Sequence, residues 1–241
     1  MVKRVAFLIL SAAQLASPQS LTIAAAADLS PLEASLQAAF RSISPATLRF
    51  TFGSSGMLAH QIRNGAPYDI YLSANEQLVT DLAAAGLLLP DTVHPYATGR
   101  IALWSALGRI HSLSDLLQPS VRHIAIPNPD HAPYGVAARQ ILQNQKLWTR
   151  LQARIVLAEN VRQAFEYART GNADAVLTSW TLLHDRGGIL IPDSLHAPIR
   201  QSGGIVKGTP NEAAARAFLN FLLSPAGRTV LARYGLFPPA P

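Results

Sequence analysis

The chain has 241 residues, of which 49% are apolar and 14% are charged, and this composition predicts a folded globular protein rather than a disordered one. The formal net charge is +6, but the basic residues are scattered singly with no aromatic residues interleaved, which argues against a nucleic-acid surface. A mild positive field of this kind would still attract small anions.

The first 20 residues, MVKRVAFLILSAAQLASPQS, have the pattern of a secretory signal peptide. Lys3 and Arg4 form a basic tip, a largely apolar run follows, and small residues end the segment. The alternative is a buried first strand or helix. We predict cleavage between Ala16 and Ser20 and a periplasmic location. The absence of cysteine fits export, because nothing is left to oxidise.

Beyond residue 20, short apolar strands alternate with amphipathic helices. The first strand is predicted at LTIAAAA (21–27), and a helix follows because apolar residues recur at helical spacing from Leu29 to Ile43. Ser30, Pro31 and Glu33 predict a capping box for this helix. Later strands are predicted at TLRFTFG, YDIYLSA, RIALWSA, VRHIAIP, RIVLA, DAVLTS and GGIVKG, separated by helices such as GMLAHQIRNG, GVAARQILQNQKLW and VRQAFEYART. This alternation is typical of βαβ units, so the predicted fold class is α/β with parallel sheets.

Proline and glycine cluster in two places, near residues 94–99 and 197–204. Such punctuation marks positions where a chain can cross between two lobes. We therefore predict a discontinuous lobe 1, made of residues 21–98 plus 204–241, and an inserted lobe 2, made of residues 99–203.

The turns that lead from strands into helices carry a common chemistry. In parallel α/β sheets ligands bind at the carboxyl ends of the strands, where helix N-termini present unpaired amides. Most of these turns offer small residues, hydroxyls or bare backbone, and none offers a lysine to a phosphate. The turns are AAAADLS (24–30), FGSSGM (52–57), NPDHAPYGV (128–136), AENVR (158–162) and LTSWT (177–181). Together they predict a site that holds an anion by hydrogen bonds.

The segment FGSSG allows other interpretations. It is one residue too short for the G-x-S-x-G turn of esterases and lacks the lysine of a phosphate loop, whereas serine at a helix start is also an ordinary cap. A secreted serine hydrolase using Ser55 would need a histidine base, and His60 faces away on the same predicted helix. We therefore predict a binding protein and not an enzyme.

Several motifs in order resemble the periplasmic molybdate-binding proteins of ABC importers. They are AAAADL, F-x-S-S-G-x-L-x-x-Q-I-x-x-G-A-P-x-D-I-Y-L-S-A, P-x-H-A-P-Y-G, A-E-N-V-R and the terminal R-Y-G-L-F. The resemblance implies the two-lobe periplasmic-binding-protein fold (type II), with a mostly parallel sheet in each lobe and the ligand cleft between the lobes. It also implies a monomer that binds molybdate or tungstate and docks on a membrane permease, without a cofactor. Molybdenum would be held as its oxyanion, with no direct protein–metal ligands.

The resemblance also implies which residues bind the anion. Asp28, Ser55 and Tyr134 fall on binding positions through their motifs. Tyr134 would donate its phenol hydroxyl from the inserted lobe, and Val161 would donate its backbone N–H. Thr178 occupies a position where one branch of the family has a tyrosine. The full implied set is Ala27, Asp28, Ser54, Ser55, Tyr134, Val161 and Thr178.

Asp28 is the unexpected residue in this set. Two unit charges 4 Å apart repel by about 4 kcal/mol at an effective dielectric constant of about 20, and a dianion doubles this. We expect its carboxylate to point away, leaving the backbone as donor, or to be protonated. As an acceptor it would instead permit phosphate, which with sulfate is the alternative ligand. For Tyr134 the alternative is a ring packed on the hinge, and for His131 we expect a structural or supporting role.

Overall fold

The computed structural model of the chain describes residues 20–239. The predicted signal peptide lies outside this range apart from Ser20, which begins the first strand. Within residues 20–239, no helix is both long and apolar enough to cross a membrane.

The strands form two five-stranded sheets. The first has the order β2-β1-β3-β10-β4 and the second the order β7-β6-β8-β5-β9. The strands of the first sheet are β1 Ser20–Ala26, β2 Thr47–Gly53, β3 Ile70–Ser73, β4 His94–Gly99 and β10 Ile199–Ile205. Those of the second are β5 Ile101–Trp104, β6 Ile124–Pro127, β7 Ile155–Ala158, β8 Ala175–Ser179 and β9 Ile189–Leu190.

Helices connect the strands and cover the sheets. The α-helices are α1 Glu33–Phe40, α2 Ser55–Arg63, α3 Glu76–Ala84, α4 Pro133–Asn144, α5 Trp148–Leu151, α6 Val161–Arg169, α7 Glu212–Leu223 and α8 Pro225–Arg233. Short 3₁₀ helices span Ala27–Leu32, Pro90–Thr92, Leu113–Leu117, Gln152–Arg154, Trp180–Leu182 and Asp193–Leu195. Since β1, β2 and β3 pair in parallel, as do β6, β7 and β8, the carboxyl ends of these strands and the helices that follow them share one edge of each sheet.

Both sheets are mixed. In the first, β10 runs antiparallel to β3 and β4, and in the second, β5 runs antiparallel to β8 and β9. The predicted two-lobe α/β architecture is therefore present, with two parallel pairings and two antiparallel ones in each sheet.

The predicted capping box at the start of the first helix is wrong. The chain already turns into a 3₁₀ helix at Ala27, and α1 begins only at Glu33, after Leu32, which makes no side-chain cap. Pro31 lies inside the 3₁₀ helix. This early turn brings Asp28 directly to the carboxyl end of β1.

The chain passes from the first sheet to the second at Arg100, between β4 and β5, and returns before β10. The sequence placed the lobe boundaries at residues 99 and 204. Because β4 includes Gly99 and β10 starts at Ile199, we propose that lobe 2 comprises residues 100–198 and that the rest of the described chain forms lobe 1.

The carboxyl-terminal motif also joins the two lobes. Gly235 has φ 78° and lies against the ring of Trp180, where a Cβ would clash with the indole. Arg100 lies over the ring of Phe237, with 5.2 Å between the guanidinium carbon and the ring centroid. The R-Y-G-L-F segment therefore packs on the crossing point between the sheets.

Candidate functional site

A small cavity lies between the two lobes. Its walls come from the 3₁₀ helix after β1, the start of α2 and Ala74 in lobe 1, and from the starts of α4 and α6 in lobe 2. The lining residues are Ala26, Ala27, Asp28, Gly53, Ser54, Ser55, Ala74, Ala132, Pro133, Tyr134, Asn160 and Val161. All the sequence-predicted site residues except Thr178 are thus brought together.

Ser55 is oriented to donate a hydrogen bond. Its Oγ accepts the N–H of Ala74 at 2.9 Å, and the residue is only 1% exposed. Among the hydrogen bonds of residues 20–239, none uses the hydroxyl proton of Ser55. Because the oxygen is already engaged as an acceptor, this proton is available to a ligand in the cavity.

Ser54 occupies the N-cap position of α2 but makes no side-chain capping bond. Its Oγ lies 2.8 Å from Nδ1 of His131, which comes from lobe 2. The interpretation of FGSSG as a plain helix cap therefore does not describe this turn.

Two backbone amides from lobe 2 complete the donors. Asn160 caps α6 by accepting the N–H groups of Arg162 and Gln163, which leaves the N–H of Val161 to the cavity. In α4, Pro133 is the first helical residue and the amide of Tyr134 comes next. Within the described chain, no hydrogen bond uses the N–H of Val161 or of Tyr134. Helix N-termini also carry partial positive charge, so both positions favour an anion.

Thr178 supports the site from behind. It does not line the cavity, and its Oγ1 donates to the carbonyl oxygen of Val161 at 2.8 Å. The expected direct contact with the ligand is therefore not available to Thr178. It positions the first residue of α6 instead.

The phenol of Tyr134 does not point where the resemblance placed it. Its Oη donates to Oδ2 of Asp28 at 3.0 Å, and Nε2 of Gln201 lies 3.1 Å from the same Oη. The ring reaches the hinge because Gly99 has no side chain, and a Cβ there would clash with Oη. Burial, and next the nearby Asp28 carboxyl, raise the pKa of Tyr134 well above its ordinary value, so the hydroxyl stays a donor.

Asp28 is fully buried without a counter-ion. Oδ2 accepts from Tyr134 and, at 2.5 Å, from Nε2 of Gln201, while its backbone carbonyl accepts from Thr181 Oγ1 at 2.7 Å. In the described part of the chain, Oδ1 has no hydrogen-bond partner and Asp28 has no ion pair. Burial raises the pKa of Asp28 from 3.8 to about 6, although both side-chain hydrogen bonds oppose the shift.

His131 is a residue beside the cavity whose hydrogen-bond partner the sequence did not identify. Besides its contact with Ser54, its backbone oxygen accepts the N–H of Gly56 at 2.9 Å, so two hydrogen bonds join the lobes here. Its Nε2 lies 3.9 Å from the exposed carboxylate of Glu159. The motif P-x-H-A-P-Y-G located His131 near a binding turn, but no local pattern paired it with Ser54.

Two larger cavities lie elsewhere. One runs between the start of α3, α4 and residues 197–200, and the other lies beside Asp69 at the opposite end of the first sheet. Among residues 20–239, no group of three or more histidine, aspartate or glutamate side chains is placed to hold a metal ion. Of these three cavities of the described residues, the small one is lined by the unpaired donors described above.

The sequence profile of bacterial extracellular solute-binding proteins matches residues 21–237. The chain belongs to this family. It is 33% identical over 193 residues to the molybdate-binding protein ModA of Rhodobacter capsulatus, covering 78% of this chain and 77% of that protein. It is 31% identical to ModA of Azotobacter vinelandii, with 77% of each chain covered.

The structure agrees with this assignment. The solved periplasmic molybdate-binding protein of Azotobacter vinelandii superposes with a TM-score of 0.86 at 31% identity, covering 91% of this chain and 100% of that one. The predicted resemblance and the two-lobe solute-binding fold are confirmed. Because these relatives are solute-binding proteins, the prediction that the chain is not an enzyme is confirmed as well.

The raised pKa of the buried Asp28 carboxyl predicts how the stability of this solute-binding protein depends on pH. Since the pKa of Asp28 is about 6 in the folded chain and 3.8 ordinarily, its contribution to stability is full below about pH 4 and is lost as the pH rises through about 6. Asp28→Asn does not titrate and should therefore gain stability relative to the parent protein with rising pH, by at most about 3 kcal/mol. Thermal unfolding without anions, at about pH 4.5 and about pH 7.5, measures this difference. An equal difference at both pH values would contradict the assignment.

Proposed function

We propose that this protein binds molybdate, and with it tungstate, in the periplasm and delivers it to the permease of an ABC importer. One observation carries the proposal. The Ser55 hydroxyl and the free amides of Tyr134 and Val161 converge from both lobes on one small cavity. The relatives named as molybdate-binding proteins support the choice of ligand.

The chemistry of the donors favours an oxyanion. Hydroxyl and amide donors bind anionic oxygens, and the described residues that line the cavity include no lysine or arginine. Molybdenum would be held through its four oxygens, with no direct bond from a protein atom to the metal. Donors alone suit a fully deprotonated dianion, whereas a protonated ligand needs an acceptor.

The proposed binding set is Ala27, Asp28, Ser54, Ser55, Tyr134 and Val161. In it, Ser55 donates its hydroxyl, and Tyr134 and Val161 donate backbone N–H groups. Thr178 acts through Val161. The phenol of Tyr134 acts through Asp28.

Phosphate is the second candidate because of one observation. Oδ1 of Asp28 is a buried acceptor without a partner in the described chain, and the hydroxyl of a monohydrogen phosphate could donate to it. Sulfate and molybdate have no such proton to donate at neutral pH.

The remaining assignments follow from the proposed function. The signal peptide at residues 1–20 would direct export, and a monomer would bind the anion by closing its lobes about residues 99–100 and 198–199. The Ser54–His131 and Gly56–His131 bonds form only when the lobes meet, so they stabilise the closed form. The closed form would then dock on the permease.

The first prediction from the proposed function concerns anion selectivity. A ligand present at about 1,000 times its Kd adds about 4.1 kcal/mol to the free energy of unfolding, which at this chain length raises Tm by several degrees. We expect this shift from molybdate and tungstate but not from sulfate at equal concentration. Differential scanning calorimetry on ligand-stripped protein, with phosphate as a fourth arm, measures it. Equal shifts from sulfate would refute the molybdate assignment, and a shift from phosphate alone would favour the second candidate.

The second prediction concerns Ser55. Ser55→Ala removes one charge-assisted donor, which typically weakens binding by about 1.5–3 kcal/mol, or roughly tenfold to a hundredfold in Kd. Thr92→Val is the matched control. The buried Thr92 hydroxyl likewise accepts one backbone N–H in lobe 1, from Ile205 at 3.0 Å, but it does not line the cavity.

Isothermal titration calorimetry with molybdate measures both variants. We expect both to lose stability, because each leaves a backbone amide without its acceptor, and only Ser55→Ala to lose affinity. Equal affinities for the two variants would remove Ser55 from the binding set.

The third prediction concerns closure. A Cβ on Gly56 would lie 2.8 Å from the backbone oxygen of His131, so Gly56→Ala opposes the meeting of the lobes. We expect molybdate affinity to fall roughly tenfold, because overpacking of this kind typically amounts to about 1–3 kcal/mol. The neighbouring exposed Met57→Ala is the control and should bind normally. Unchanged affinity in Gly56→Ala would show that the lobes close without this contact.

A further inference from the structure

Asp28 is the only charged residue among the described residues that line the cavity. It is fully buried and has no ion-pair partner in the described chain. A dianion entering this cavity therefore meets a carboxyl group that no cation neutralises. Two negative charges that lie close together disfavour each other's ionised forms.

The hydrogen bonds show where a proton can go. Oδ2 already accepts from Tyr134 Oη at 3.0 Å and from Gln201 Nε2 at 2.5 Å. Oδ1 has no partner in residues 20–239. A proton on Oδ1 thus leaves both existing bonds intact and turns the free oxygen into a donor.

The groups facing Asp28 from neighbouring elements do not supply this proton or a compensating charge. Burial raises the pKa of Tyr134 on α4 and of Tyr96 on β4 well above their ordinary values, so both stay neutral. Arg200, beside Gln201 on β10, pairs with Glu76 at 3.7 Å, and Arg162 on α6 is exposed. Solvent must therefore supply the proton.

We infer that anion binding in this protein is coupled to the uptake of one proton, held between Oδ1 of Asp28 and an oxygen of the bound dianion. The inference rests on the proposed function for its ligand. Asp28 becomes a neutral hydrogen-bond donor in the complex. The same site favours oxyanions that are fully deprotonated in solution and take up the proton on binding, whereas monohydrogen phosphate already carries one.

The coupling sets a direction for the pH dependence. The ligand-free Asp28 has a pKa of about 6, and the dianion raises the pKa further in the complex. Proton uptake accompanies binding between these two pKa values. In that window the affinity falls about tenfold for each unit that the pH rises, and below about pH 5 the dependence disappears because the free protein is already protonated.

Isothermal titration calorimetry with molybdate tests the coupling at about pH 7.5, in Tris, imidazole and bis-Tris. These buffers differ in ionisation enthalpy, so the slope of the observed enthalpy against buffer enthalpy counts the protons taken up. We expect nearly one proton for the full chain and a Kd that rises roughly tenfold between about pH 6.5 and about pH 7.5. Asp28→Asn should take up no proton and bind with a Kd that no longer varies with pH.

Asp69→Asn is the matched control. Asp69 is a second buried carboxylate in lobe 1, but it binds the N–H of Thr22 at 2.7 Å and does not line the cavity, so this variant should retain the proton uptake. Molybdate binding without proton uptake in the parent protein would overturn the coupling and leave the proposed function standing. Uptake that persists in Asp28→Asn would assign the proton to another group and also overturn it. If no anion tested produced any binding heat, both the proposed function and the coupling would be refuted.

Discussion

An anion held without a cation needs hydrogen-bond donors that nothing else in the protein uses, and this requirement shapes the site. Such donors occur where helices begin, because the first amides of a helix have no partner within it. In this chain the starts of α2, α4 and α6 meet at one cavity. The cap of α6 satisfies the next two amides, and the first one, on Val161, has no hydrogen bond within the described chain.

The same site joins the two lobes. His131 meets Ser54 and Gly56, Tyr134 meets Asp28, and Thr181 donates to the backbone of Asp28 at 2.7 Å. Each of these bonds has one partner in each proposed lobe. Closure of the lobes and completion of the anion site are therefore the same structural event, which is how binding could be communicated to a partner protein.

Asp28 lines the cavity, but its burial lowers the stability of the fold. A buried carboxylate destabilises the folded protein at neutral pH, as its raised pKa shows, yet it accepts two hydrogen bonds at the hinge. Gly99 leaves the space through which the Tyr134 hydroxyl reaches it. If Asp28 takes up a proton from solvent when the dianion binds, the carboxyl becomes neutral and can donate a hydrogen bond to the ligand. The group that destabilises the ligand-free protein would then stabilise the complex.

The sequence by itself determined the alternation of strands and helices and the turns that carry the donors, because these depend on local periodicity and helix starts. The proposed roles of Ser55 and of the Val161 amide came from the resemblance to a known family. The sequence missed β4, since Pro95 argues against a strand, and the structure tolerates this proline because β4 is an edge strand. Only the tertiary structure decided which side chains meet across the cleft. Ser54 and His131 are 77 positions apart, and Asp28 and Gln201 are 173 apart, so their contacts depend on how the lobes pack and have no local signature. For the same reason the Tyr134 phenol and Thr178, both expected at the ligand, serve Asp28 and Val161 instead.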